Sequence, residues 1–141
     1  MEKYLSLLGR LLISIVFILS GFLKIAHWRD MLGLFASLKI PLVPIALAVT
    51  VLIEIGGGLC IAAGYQARLA AVVQFLYLIP VTCMLHNFWA FQGLQRQDQM
   101  AHFLKNLGLM GAMLLIAAYG PGAISVDASR RTEAFASSTA R

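Results

Sequence analysis

The chain alternates four long apolar stretches with short polar segments. The apolar stretches cover about residues 4–24, 41–64, 67–91 and 100–119. Each is close to the roughly 20 residues that an α-helix needs to cross a bilayer. Away from the ends of the stretches, Arg10, Glu54 and Lys105 are their only charged residues. This pattern predicts an all-α integral membrane protein, a four-helix bundle.

The segments between and after the apolar stretches predict two further elements. Residues 28–39 are too few to span a bilayer and mix charge with Leu, Phe and Trp, which is typical of a short amphipathic helix lying at the interface. Pro121 and Gly122 end the fourth helix. The polar remainder, residues 125–141, has no apolar period, so we predict a flexible tail after a transmembrane domain of residues 1–124.

Composition agrees with a bilayer partner and excludes nucleic acid. Hydrophobic residues make up 60% of the 141 and charged residues 12%, and the mean hydropathy is +0.84. Soluble proteins are about 45–50% apolar and about 25% charged. The net charge of +5 comes from basic residues scattered singly at the edges of apolar stretches, whereas a nucleic-acid site would cluster them on one face.

The basic residues also bear on orientation in the membrane, because four spans place both termini on one side. That side carries Lys3, Arg10, Arg68, Arg130, Arg131 and Arg141. The other side carries Lys24, Arg29, Lys39, Arg96 and Lys105. The slight excess favours N- and C-termini in the cytoplasm.

A polar group is predicted in the middle of the bundle, around Glu54. The loop between the second and third spans is tight, so Glu54 and Tyr77 lie at equal depth. Counting down from Lys24 and Pro41 at the opposite rim places Arg10 level with Glu54. One interpretation is a structural ion pair between Arg10 and Glu54. The other makes Glu54 a proton-carrying or substrate-binding group that Arg10 and Tyr77 tune.

A second polar group is predicted near the rim opposite the termini. Its members are Lys24, His86, Trp89, His102, Lys105 and Asn106. Together they suit a basic, aromatic pocket for an anionic or quinone-like head group, with a histidine passing protons. The alternative is a belt of side chains that anchors helix ends at the interface. We expect no metal site, because no carboxylate or thiolate joins the histidines at a ligand spacing.

Several short motifs occur in a characteristic order along the chain. They are Gly9-Arg10, Ser20-Gly21-Phe22-Leu23-Lys24, Glu54-Ile55-Gly56-Gly57-Gly58, His86-Asn87-Phe88-Trp89, Lys105-Asn106-Leu107 and the closing Gly120-Pro121-Gly122-Ala123-Ile124-Ser125-Val126-Asp127. Their order and spacing resemble the DoxX family of small four-helix bacterial membrane proteins. The resemblance covers about residues 4–127 and implies a multi-pass protein of the bacterial cytoplasmic (inner) membrane.

The resemblance also implies a class of function. The family takes its name from a subunit of a thiosulfate:quinone oxidoreductase, so the resemblance implies that this chain is a membrane subunit or partner of a quinone-linked system. Quinone is then a bound substrate, and no other cofactor signature is evident. Cys60 and Cys83 form no paired motif, which argues against dithiol chemistry. Two alternatives are an accessory or assembly subunit packed against a larger membrane complex, and a small transporter that uses Glu54. Whether the chain is itself an enzyme, and whether it forms a homo-oligomer, stay open.

Overall fold

The computed structural model describes residues 1–139 and contains no strand within them. Its α-helices are α1 (Glu2–Ala26), α2 (Trp28–Ser37), α3 (Val43–Ala63), α4 (Ala67–Leu85), α5 (Gly93–Tyr119) and α6 (Val126–Thr139). A short 3₁₀ turn, Phe88–Ala90, lies between α4 and α5. The helices α1, α3, α4 and α5 are long and apolar enough to cross a membrane. The all-α fold with four candidate spans is therefore confirmed.

The fourth long helix starts earlier than the sequence predicted. We expected it to begin near Met100, whereas α5 begins at Gly93. Its first turns carry Arg96 and Asp98, which are exposed. Hydropathy located only the apolar part of α5, because a polar helical extension beyond the bilayer has the composition of a loop. The 10-residue α2 agrees with the short helix predicted between the first two spans.

The long helices run antiparallel and pack in chain order. Helix α1 packs against α3, α3 against α4, and α4 against α5, while α2 lies against the start of the bundle next to α3. We name the two ends of the bundle by their short helices. The α2 end holds the last turn of α1 and the starts of α3 and α5. The α6 end holds the start of α1 and the last turns of α3 and α5.

The apolar core lies between the helices, and a second apolar surface faces outward. Core residues include Phe17, Ile61, Ala67, Ala71, Leu78, Met113 and Ile116. Many large apolar side chains instead point away from the bundle; Leu52 is 71% exposed and Leu115 is 60% exposed. An apolar outer surface of this kind is stable only against lipid, so the four spans lie in a bilayer.

The segment predicted as a flexible tail is helical in the structure. Helix α6 covers Val126–Thr139, while residues 140 and 141 lie outside the described part of the chain. The hydroxyl of Ser125 accepts a hydrogen bond from Ala128 N (3.2 Å) and so caps α6. Asp127 docks the helix, because its carboxylate accepts hydrogen bonds from the backbone N–H groups of Gln66 (2.8 Å) and Ala67 (3.0 Å). The sequence prediction searched for an apolar period, whereas polar contacts at the start of α6 hold this helix in place. Such contacts produce no apolar period in the sequence.

Candidate functional site: a polar cavity at the α2 end

Glu54, near the middle of α3, forms an ion pair with Lys24 in the last turn of α1. The ammonium nitrogen of Lys24 lies 2.9 Å from both carboxylate oxygens of Glu54. The pair is well shielded, since the side chains of Lys24 and Glu54 are 15% and 5% exposed. A charged group inside a span is costly unless it has a partner, and this pair satisfies both charges.

Two hydroxyl groups complete the surroundings of the Glu54 carboxylate. Tyr77 Oη donates a hydrogen bond to Glu54 Oε1 (2.8 Å), and Ser20 Oγ donates to the same oxygen (3.2 Å). Lys24 also donates to Ser20 Oγ (2.8 Å). We call Ser20, Lys24, Glu54 and Tyr77 the Glu54 cluster. Its donors come from α1 and α4, so the carboxylate ties three helices together in a geometry that suits its charged form.

Arg10 does not meet Glu54, and the predicted pair between them is wrong. The Arg10 guanidinium lies at the α6 end, where it donates to the backbone carbonyls of Ile61 (3.0 Å), Ala62 (3.2 Å) and Ile124. These contacts satisfy carbonyl groups at the C-terminal end of α3. Arg10 thus has a structural role: its hydrogen bonds connect α1 to α3 and to the segment that leads into α6.

The depth of α1 relative to α3 explains the error. The prediction placed Lys24 and Pro41 at the same rim. A Cβ atom on Gly21 of α1 would instead touch Glu54 and Ile55, so Glu54 sits about ten residues further along α1 than assumed. The offset arises because α3 also packs against α2, which lies beyond the end of α1.

The second predicted group is largely assembled at the α2 end. The imidazole rings of His86 and His102 stack with centroids 5.0 Å apart. His86 Nδ1 donates to Gln99 Oε1 (2.9 Å), and Lys105 Nζ lies 3.3 Å from His102 Nδ1. We call His86, Gln99, His102 and Lys105 the rim cluster. Gln99 was missed from the sequence, although its position three residues before His102 places it on the same face of α5.

Two other members of the predicted group have different roles. Asn106 is buried, and its amide donates to Thr82 Oγ1 (3.1 Å), which links α5 to α4. Trp89 is 59% exposed and makes edge-to-face contacts with Phe88 and Phe103 outside the polar cavity. Its place in the pocket was predicted wrongly, because the 3₁₀ turn after α4 directs the indole outward. Trp89 instead matches the interfacial aromatic belt that was the alternative prediction.

Three members of the Glu54 cluster and all of the rim cluster line one cavity of about 810 Å³. Ser20, Lys24 and Glu54 line its inner part, and His86, His102, Lys105 and Asn106 line its part at the α2 end. Most of the remaining wall is apolar: Leu19, Leu23, Met31, Leu34, Leu38, Leu78, Val81, Met84, Leu85 and Leu109. What looked like two separate layers in the sequence is therefore a single polar site with apolar walls.

The cavity opens sideways and is closed towards the α6 end. Within residues 1–139, α1 and α5 make little contact with each other, and the cavity lies between them. Leu19 and Leu23 line the cavity yet are 56% and 60% exposed, so the cavity reaches the lipid-facing surface of α1. Phe17 and Leu78 belong both to the cavity wall and to the apolar core, which fills the bundle beyond them. Among the described residues, no cluster of His, Cys, Asp or Glu could hold a metal ion.

The fold and this site define a small helical membrane protein with four candidate spans and a polar cavity open to the lipid. The DoxX family model matches residues 5–87, more than half of the chain. The protein therefore belongs to the DoxX family.

Curated relatives agree with this placement. The chain is 32% identical over 123 residues to the inner membrane protein YphA of Escherichia coli, covering 87% of this chain and 88% of that protein. It is 31% identical over 121 residues to the inner membrane protein YqjF of the same organism, covering 86% and 88%. These two matches support the interpretation of this chain as a multi-pass inner membrane protein. No solved structure matches the chain.

A eukaryotic relative shares the same region within a longer protein. The ER-derived vesicles protein ERV29 of Saccharomyces cerevisiae is 29% identical over 130 residues. The match covers 92% of this chain but 35% of the yeast protein. The chain therefore matches about a third of the length of this yeast protein.

Proposed function

We propose that the cavity binds the polar head of a quinone-like, lipid-soluble molecule, and that the protein is a membrane subunit or partner of a quinone-linked oxidoreductase system. One observation carries the proposal: a cavity with a polar interior and apolar walls opens between α1 and α5 towards the lipid. A molecule with a polar ring and an apolar tail fits these walls and reaches the cavity from the bilayer. The volume of about 810 Å³ lies in the range of small-molecule sites.

The side chains in the cavity suit the chemistry of a quinone head. Quinone carbonyl oxygens accept hydrogen bonds, and Lys105 and the histidines His86 and His102 are donors on one wall. Histidine also exchanges protons near neutral pH, which reduction of a quinone to a quinol requires. In this proposal a partner enzyme supplies the electrons. This chain binds and orients the head group.

Quinone binding can be measured directly on the purified protein. We expect protein extracted in a mild detergent to retain quinone, detected by its ultraviolet absorbance after organic extraction. A short-chain quinone analogue should bind about tenfold more weakly to His86→Ala or Lys105→Met than to the wild type, since a lost hydrogen bond to a charged or partly buried group costs about 1.5 kcal/mol. Lys39→Met is the matched control, because Lys39 is exposed and lies outside the cavity.

The outcomes are distinct. Weaker binding in the cavity variants with normal binding in Lys39→Met supports the site. If folded wild-type protein neither retains quinone nor binds the analogue, the proposal is overturned. Equal binding by wild type, His86→Ala and Lys105→Met would place the ligand elsewhere and overturn the assignment of this cavity.

A further inference from the structure

A second cleft lies at the opposite end of the bundle from the polar cavity. It has a volume of about 520 Å³ and lies between the end of α5 and α6. Its wall includes Arg68, Tyr119, Gly120, Ser125, Arg131 and Phe135. The cleft shares no residue with the cavity described above, so its role is independent of the proposed function.

Helix α6 holds one wall of this cleft in place. Ala128, Arg131 and Phe135 recur at the spacing of one helix face and line the cleft together. The start of α6 is docked through Asp127, whose N–H donates to Gly64 O (2.9 Å). One turn further on, the Arg130 guanidinium lies over the ring of Tyr65, 4.8 Å from its centroid. Arg131 is therefore presented to the cleft by an anchored helix.

The cleft carries two positive charges that form no salt bridge with a carboxylate of the described residues. Arg68 and Arg131 both line it. Arg68 Nη1 donates to Ala117 O at 3.4 Å, a long bond to a neutral acceptor. Within residues 1–139, no ion pair joins either arginine to a carboxylate. Two guanidinium groups facing one cleft form a site for an anion, and guanidinium groups pair with phosphate oxygens through two parallel hydrogen bonds.

The cleft also lies at the level of the membrane surface. Arg68 is the second residue of α4, and Tyr119 is the last residue of α5, so both stand at the end of a candidate span. The rings at this cleft are unusually accessible: Tyr119 is 82% exposed and Phe135 is 72% exposed. Aromatic rings of this kind sit among lipid head groups and upper acyl chains.

From this combination we propose that the cleft between α5 and α6 binds the phosphate head group of an anionic phospholipid. Arg68 and Arg131 contact the phosphodiester, and Tyr119 and Phe135 lie beside the adjoining glycerol and acyl chains. The bound lipid links the ends of α4 and α5 to α6. Basic residues at a span end attract anionic lipid in this way.

The test compares two matched pairs of arginines. The protein is placed in nanodiscs of phosphatidylcholine alone or mixed with phosphatidylglycerol, then released for native mass spectrometry. We expect wild-type protein to retain phosphatidylglycerol. The double variant Arg68→Gln and Arg131→Gln should retain about 25-fold less, at about fivefold for each arginine. Arg29→Gln with Arg96→Gln removes two exposed arginines at the α2 end and should retain as much as wild type.

Each outcome decides the proposal. The expected contrast between the two double variants supports it, provided that both unfold at the wild-type temperature in neutral detergent. Equal loss in both variants, or no loss in either, overturns a specific site. Retention of phosphatidylcholine as strong as that of phosphatidylglycerol also overturns it. Inorganic phosphate added at millimolar concentration should displace no lipid, which would support the lipid as the ligand. If phosphate binds alone and displaces the lipid fully, the lipid assignment is wrong.

Discussion

At the scale of single residues, the partner of each buried charge decides what that charge does. Glu54 lies against Lys24, whereas Arg10 lies against backbone carbonyls about two turns further along α3. The types of these residues marked both positions as special in the sequence. Their partners could not be assigned, because an error of a few residues in relative helix depth replaces one partner with another.

A double-variant experiment tests the corrected partner. Lys24→Met leaves the Glu54 carboxylate without its ammonium partner, and we expect it to lower the free energy of unfolding by about 3–5 kcal/mol. Glu54→Gln added to Lys24→Met should restore more than half of that loss. Arg10→Met should also destabilise the protein, but Glu54→Gln should restore nothing there. Unfolding in detergent mixtures measures these four variants and Glu54→Gln alone, with Lys39→Met as a neutral control.

Additive effects of Lys24→Met and Glu54→Gln on the free energy of unfolding would contradict the ion pair. Energetic coupling between Arg10 and Glu54 would restore the partner predicted from the sequence. Substitutions of two residues in direct contact show a coupling free energy of about 0.5–3 kcal/mol. The effects of substitutions at distant residues are additive to within about 0.5 kcal/mol. The two arrangements are therefore separable by their coupling free energies.

At the scale of the helices, the close contact of α1 with α3 sets the position of the whole Glu54 cluster. Gly58 is buried on the α1-facing side of α3, where an added Cβ would lie 2.8 Å from Ile18 Cγ1 and 3.3 Å from Ser14 O. The Ile18 side chain occupies this space and the backbone of α1 lies close beside it, so an added methyl group requires Ile18 to move and α1 to shift slightly away from α3. Gly56, two residues earlier, meets only Leu52 of its own helix at 4.0 Å.

This contrast gives a matched pair of variants. We expect Gly58→Ala to lower the free energy of unfolding by about 1–3 kcal/mol, because it forces α1 and α3 apart. Gly56→Ala should leave stability unchanged or raise it by up to about 1 kcal/mol, since alanine is the better helix former. Thermal unfolding of both variants in the same detergent measures the difference. Equal effects of the two substitutions would show that α1 does not approach α3 at Gly58.

At the scale of the whole molecule, the two ends of the bundle differ. The α2 end holds the polar cavity, while the α6 end is closed by the apolar core and by the contacts of Arg10 and Asp127. In the proposed function, the orientation of the bundle decides which compartment supplies protons to the rim cluster. The distribution of basic residues favours the α6 end in the cytoplasm.

Reporter fusions test this orientation. A green fluorescent protein fused after Arg141 should fluoresce in bacterial cells, because it folds in the cytoplasm and not after export through the general secretion pathway. An alkaline phosphatase fused at the same position should be inactive. A fusion within residues 38–42, between α2 and α3, should give the opposite pattern. Active phosphatase at the C-terminus would reverse the orientation and place the polar cavity on the cytoplasmic side.

Features that depend on local composition and short connections could be predicted from the sequence. Four apolar stretches predict four spans, because crossing a bilayer is a property of each stretch. The three-residue connection between α3 and α4 sets their relative depth, which is why Glu54 and Tyr77 could be placed together. The relative depth of helices joined by longer connections became known from the packing of the folded chain. Helix α2 offsets α1 from α3, and this offset brings Lys24 to Glu54, sends Arg10 to the other end and joins two predicted polar groups into one cavity.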